Sequence, residues 1–312
     1  MLDAFKRDVK TYTRLALVAY DKLETDPNSI RNRLALTKDN RQARENPVRL
    51  TETFVSATAS AWVDDLVVAA AIDKLDYTVP MMGYHAAVPY NEINIGRPNM
   101  QATLQEVIAK LPLALMRKEV RLIMNVFRLN PLTVDGQNMF DTEHTHINGA
   151  AYSNIVEFDV VDEDAPTFDE GKAAINEALG RLASINALES EVVDAAQFKQ
   201  DILITCHTTA QMTVFEQIRT QSQRNNVENE LKGSFTLLLD RNPASGTETS
   251  FEVSYLPPGG PRPAIFVPDM APWMDVWKDG IRNGYVAVGM KEIFGVKPGH
   301  AFSTVRVTLG EA

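Results

Sequence analysis

The chain has 312 residues, 45% hydrophobic and 23% charged, with a formal net charge of −10 and a single cysteine, Cys206. That excludes a disordered or collagen-like chain, an intramolecular disulfide and a thiolate cluster for zinc. Residues 1–50 hold eleven Lys/Arg against seven Asp/Glu, a surplus of +4 that leaves −14 on the rest, which argues against sequence-specific DNA recognition because affinity for a polyanion rests on neutralising phosphates.

No apolar run reaches the roughly 20 residues that span a bilayer. The N-terminal MLDAFKRDVK begins with charge rather than with a signal-peptide pattern, so no membrane segment and a cytosolic compartment are expected. In residues 2–25 the spacing of Leu2, Phe5, Val9, Tyr12, Leu15 and Ala19 predicts one buried stripe of an amphipathic helix, ended by Asp26-Pro27. Residues 28–49 are polar and Arg-rich, too poor in apolar surface to fold alone; they read as an arm lying on something else or as a solvated linker.

Thr51 to Asp76 returns to helical spacing through Phe54, Trp62, Leu66 and Ala70. Pro80, Gly83, Pro89, Gly96 and Pro98 then sit in a Tyr/Val/Ile background, which predicts an extended loop or hairpin able to reach a partner chain. Met100 to Leu129 carries the strongest helical signal, with Leu104, Ile108, Leu111, Leu115, Met116, Val120, Ile123, Met124 and Phe127 on one side. Pro112 must kink or restart that helix.

TVDGQNMFDTEHTHING follows, with a DG dipeptide that reverses the chain. Beyond it, SNIVEFDVV alternates as a strand, and Thr167 with Glu170 forms a capping box opening a helix through GKAAINEALGRLASI. QDILITCH reads as a strand, TTAQMTVFEQIRTQSQ as a helix, and GSFTLLLDRNP, TSFEVSYLPPGG and RPAIFVPDM as strands and turns. The chain closes on β-type alternation at Phe302, Val305 and Val307. There is no internal repeat, and a helix-rich first half with a strand-rich second half makes the class α+β.

Chemistry has few candidates. Asp141, Glu143, His144 and His146 resemble a metal cluster, since an H-x-H pair on an extended segment puts both rings on one face. A metal-dependent hydrolase using Asp141, His144 and His146 is therefore one reading; a polar turn whose side chains bond to the backbone is the other. Cys206 and His207 are neighbours on a strand, so their side chains point to opposite faces and do not pair. LPPGGPRP has neither the Lys-Ser/Thr nor the following helix of a phosphate loop. No nucleophile elbow, dinucleotide fingerprint or kinase signature occurs. No catalytic residue, metal or cofactor is expected.

A long apolar helix running into V-D-G-Q-N-M-F-D-T-E-H resembles the major capsid (head) proteins of tailed bacteriophages, in particular the Mu-type major head subunit group. The matching positions are Asn130, Asp135, Gly136, Met139, Phe140 and His144, with further support from WKDGIRNGYVAVG near the end. The resemblance implies the Hong-Kong-97-type phage fold, with an N-terminal arm (1–50), a helix and extended loop region (51–99), a spine helix and peripheral domain (100–165), an axial domain (166–270) and a return to the peripheral domain (271–312). It further implies a virion structural protein, assembled in the host cytoplasm into hexamers and pentamers of an icosahedral shell around double-stranded DNA. Its partners would be other copies of itself, a scaffold, a portal and a decoration protein. An encapsulin-like compartment shell is the alternative on the same fold.

Overall fold

The computed structural model describes residues 2–37, 82–91, 100–133, 135–146, 149–186, 201–224, 227–243, 247–258, 260–278 and 285–311. Two compact units share the chain. The first comprises Met1–Val48, Thr78–Met124 and Ile265–Lys297, and the second Arg49–Tyr77, Asn125–Ala264 and Pro298–Ala312. The class is α+β. No described helix is long and apolar enough to cross a membrane.

In the first unit the N-terminal pattern folds as helix α1, Leu2–Glu24. Its buried stripe is Val9, Ala16 and Tyr20, whereas Leu15 is 59% exposed. The expected stripe is thus rotated: Ala16 and Tyr20 lie four residues apart on the Val9 face, and Leu15 falls beside it. Asp26 accepts a bond from the Asn28 amide, and Ser29 caps a short helix, α2, Ile30–Leu34. Strand β1 follows at Ala35–Thr37. Part of the expected polar arm is therefore ordered, with Arg31 only 1% exposed. Residues 38–49 and the helix expected at 51–76 lie outside the described residues.

Within the expected extended loop, Met82–Asn91 is strand β2. Helix α3 spans Met100–Leu129 and continues through Pro112, which has no N–H to give to the carbonyl one turn back. Leu104, Ile108, Leu111, Leu115 and Met116 on α3 are buried with Val9, Ala16 and Tyr20 of α1 and with Val286, Val288 and Met290. The last three come from strand β12, Tyr285–Pro298; β11 is Ala264–Lys278. The described sheet has the order β1-β11-β12-β2, with β12 antiparallel to β2. Each fully buried Leu or Ile contributes about 1.5–3 kcal/mol.

The second unit contains the C-terminal end of α3 and strands β3 (His144–Thr145), β4 (Ala151–Tyr152) and β5 (Ile155–Val160). Helix α4, Phe168–Asn186, carries the expected cap: the Thr167 amide and hydroxyl donate to Glu170 at 2.8 and 2.6 Å. Strand β6 is Ile202–Cys206 and helix α5 is Thr209–Thr220, with a Thr208/Gln211 capping box. The remaining strands are β7 (Gln223–Arg224), β8 (Val227–Glu228), β9 (Phe235–Leu239), β10 (Ser250–Tyr255) and β13 (Thr304–Glu311). Phe302, expected in the final strand, stands in a 3-10 turn just before it.

The five-stranded sheet runs β5-β13-β10-β6-β9, parallel at β13/β5 and β6/β9 and antiparallel between. Phe251 and Val253 of β10 with Val305, Val307 and Leu309 of β13 alternate onto one face, against Ile175, Leu179 and Leu182 of α4 and Phe215 and Ile218 of α5. Gly171 lets the helices meet: a Cβ there would lie 3.2 Å from Phe215 and Val214. The opposite face carries Thr205, Glu252, Ser254, Thr304 and Arg306, all buried. A sheet polar on one side and covered on both needs its polar groups paired.

Candidate functional site

The expected motif residues converge on one corner directly after α3. Asn130 has φ 46°, the left-handed conformation that stops the helix. Its side chain clamps Phe140 in both directions, accepting from the Phe140 amide at 2.7 Å and donating to the Phe140 carbonyl at 3.1 Å. Between them the chain turns at Gly136, φ 83°, with the Thr133 amide on the Gln137 carbonyl at 2.7 Å and the Gly136 amide on the Thr133 carbonyl at 3.2 Å.

Asp135 is the corner's electrostatic centre. It accepts from the Thr133 hydroxyl, from the Gln137 amide at 3.2 Å, and meets His144 Nδ1 at 2.7 Å. Burial pushes the carboxyl up, but the His144 and Thr133 bonds and the His144 charge outweigh it and hold the pKa down at about 2. His144 is fully buried and stacks on Tyr152 at 5.0 Å. Phe140 lies against Phe127 at 6.1 Å and beneath the Arg306 guanidinium at 3.8 Å. Asn154 closes the corner: it accepts from the Asp141 amide at 2.9 Å and donates to the carbonyls of Met139 at 2.7 Å and Ala301 at 3.1 Å.

The residues of the metal reading are directed elsewhere. Asp141 accepts from the Glu143 amide at 3.0 Å, as in an Asx turn. His144 and His146 share a face, as the alternation predicts, but that face is Tyr152, with His146 edge-on to Tyr152 at 6.4 Å and to Phe302 at 6.1 Å. Among the described residues no group of three or more His, Cys, Asp or Glu side chains could hold a metal ion. Cys206 is buried in the α4/α5 face, where burial pushes its thiol up, while His207 bonds to Glu252, as expected for neighbours on a strand.

Sequence reasoning missed the charge cluster behind the corner. Glu252 is fully buried; His207 Nε2 lies 3.0 and 3.2 Å from its two oxygens, and Arg306 reaches it at 2.9 Å. Burial opposes both charges, yet His207 and Arg306 lower the Glu252 pKa, and Glu252 with Asp240 raises that of His207. Arg306 also donates to the Phe127 carbonyl at 2.7 Å, satisfying an open acceptor at the end of α3. The next residue, Arg128, pairs with Asp240. No spacing rule could find this set, since Arg306 and Phe127 are 179 residues apart.

Chemically, the corner is a hydrogen-bond lattice that fixes where the chain leaves the long helix and enters the sheet. No family model and no curated protein matches the chain. Solved structures similar to it include phage capsids. The asymmetric unit of the bacteriophage PhiM1 mature capsid is 8% identical, with 75% of this chain and 72% of that chain covered at a TM-score of 0.48. The capsid of Myoviridae phage XM1 is 12% identical, with 74% of each chain covered and a TM-score of 0.43. A virus-like particle from Pyrococcus furiosus is 12% identical over 74% of this chain and 76% of that one, with a TM-score of 0.35.

Proposed function

We propose that this chain is the major capsid protein of a tailed-bacteriophage head, self-assembling into hexamers and pentamers of an icosahedral shell that encloses double-stranded DNA. The observation that carries the reading is the corner: Asn130, Asp135, Gly136, Phe140 and His144 are the positions of the capsid-like motif, and they lock one turn at the end of a 30-residue helix. Each of their bonds stays within the fold, which suits a part made for shape rather than turnover. Function then resides in burial between subunits, and no catalysis is required.

In this reading the fold is of the Hong-Kong-97 type and α3 is the spine. Residues 1–50 are the arm and 51–99 contain the extended loop. Residues 100–165 are the spine helix and peripheral domain, 166–270 the axial domain, and 271–312 the return to the peripheral domain. The acidic remainder of the chain lets packaged DNA slide along the wall. The chain's partners are further copies of itself, with scaffold, portal and decoration proteins around them, and assembly takes place in the host cytoplasm.

Electron microscopy of purified full-length protein, with and without co-expressed scaffold, tests this. Rings or closed shells are expected, and a protein that stays monomeric in both preparations overturns it. Shells holding an enzyme cargo and no genome in the native host would transfer the reading to an encapsulin-like compartment.

A further inference from the structure

The first unit buries four polar side chains that the capsid reading leaves unused. Tyr20, Arg31, Glu119 and Glu292 are each 1% exposed or less. They come from α1, α2, α3 and β12, and α1 adds Glu24 at the rim, while β11 supplies the Phe266 ring 4.1 Å from the Arg31 guanidinium. Arg31 is the cation of this set. It donates to Glu119 at 2.9 Å, to the Tyr20 oxygen at 3.2 Å and to Glu24 at 2.9 Å.

Glu292 is the odd member. The Tyr20 oxygen lies 2.8 Å from Glu119 and 3.2 Å from Glu292, but a phenol has one proton to give. The second Glu292 oxygen makes no hydrogen bond. Two buried carboxyls beside one guanidinium, itself shared with Glu24, cannot both be ionised without leaving an uncompensated charge in the core. Burial and the Glu119 charge raise the Glu292 pKa, in the direction this geometry demands.

We infer that the N-terminal helices α1 and α2 are held to α3 and β12 by a proton retained on the Glu119/Glu292 pair, and that rising pH loosens them. The sign follows from linkage: the closed state keeps a proton that an exposed carboxyl loses above its ordinary range, so opening is favoured as pH rises. The reading concerns one chain and is independent of whether it forms shells.

Hydrogen exchange of the full chain between pH 6.5 and 8.5, corrected for intrinsic rates, tests it on residues 2–34. With one proton released per opening, the opening equilibrium should rise up to about tenfold per pH unit. Glu292→Gln, which stays neutral and keeps the shape, should give a flat profile in the same assembly state. A flat wild type, or a variant as steep as wild type, overturns the inference. Should that variant fail to fold, Glu119→Gln leaves Glu292 alone opposite Arg31 and should likewise flatten the profile; an unchanged slope there overturns it too.

Discussion

At the scale of single residues, Gly136 and Asn130 are two positions where φ is positive, and each solves it differently. Asn130 pays through its side chain, whose two bonds to Phe140 fix the left-handed turn. Gly136 has no such support, and nothing lies within 4 Å of the place a Cβ would occupy. Its requirement is therefore conformational and not steric. Gly136→Ala should cost about 1–2 kcal/mol, Gly136→Asn less because Asn tolerates this region, and Gly136→Val more because of its β-branching. Urea unfolding checks the order, and equal losses for Asn and Val would refute the backbone account. The Asp135–His144 pair was legible only as two polar residues near a DG turn: the sequence shows both, but their pairing at 2.7 Å depends on how β3 returns past the turn.

Among elements, the C-terminal end of α3 is fastened to the sheet through Arg306 of β13 and Glu252 of β10. Removing one member of a buried charge set leaves the others unpaired, so Arg306→Met and Glu252→Gln should each cost about 3–5 kcal/mol. The double variant should lose less than the sum, since His207 can then turn neutral. A double-mutant cycle by urea unfolding measures this coupling, and simple additivity would show that the fastening is not cooperative. Elements whose stability comes from local spacing were readable in advance: α3 by its apolar stripe, α4 by the Thr167/Glu170 cap. The rotation of α1 was not, because Leu15 and Ala16 differ by one helical step and the choice between them is made by β12 and α3. Arg31 and Glu119 were hidden for the same reason, their partners lying 88 residues apart.

At the scale of the whole molecule, the two units place opposite demands on protons. In the first, Glu119 and Glu292 have raised pKa values. The folded unit keeps a proton on this pair that the unfolded chain releases, so its stability falls as pH rises above the usual carboxylate range and is insensitive to these groups below it. In the second, Asp135 is held at about 2, and Asp240 and Glu252 are lowered as well. There the unfolded chain takes up protons first, so stability is lost as pH falls from the ordinary carboxylate values toward 2. His207, with a raised value, adds stability that is full below the ordinary imidazole value and is lost as pH rises from there through its folded pKa. Peptide-resolved hydrogen exchange should therefore separate the units. From pH 5 to pH 3 protection should fall in 201–206 and 250–255 and hold in 104–124, whereas from pH 5 to pH 6.5 it should fall in 104–124 and hold in the sheet. Asp135 alone should account for about 1 kcal/mol of the acid loss at pH 3, and Asp135→Asn should abolish that share. Parallel loss of protection in both units across both intervals would mean that surface charge, at a net −10, governs the pH response instead of these buried groups.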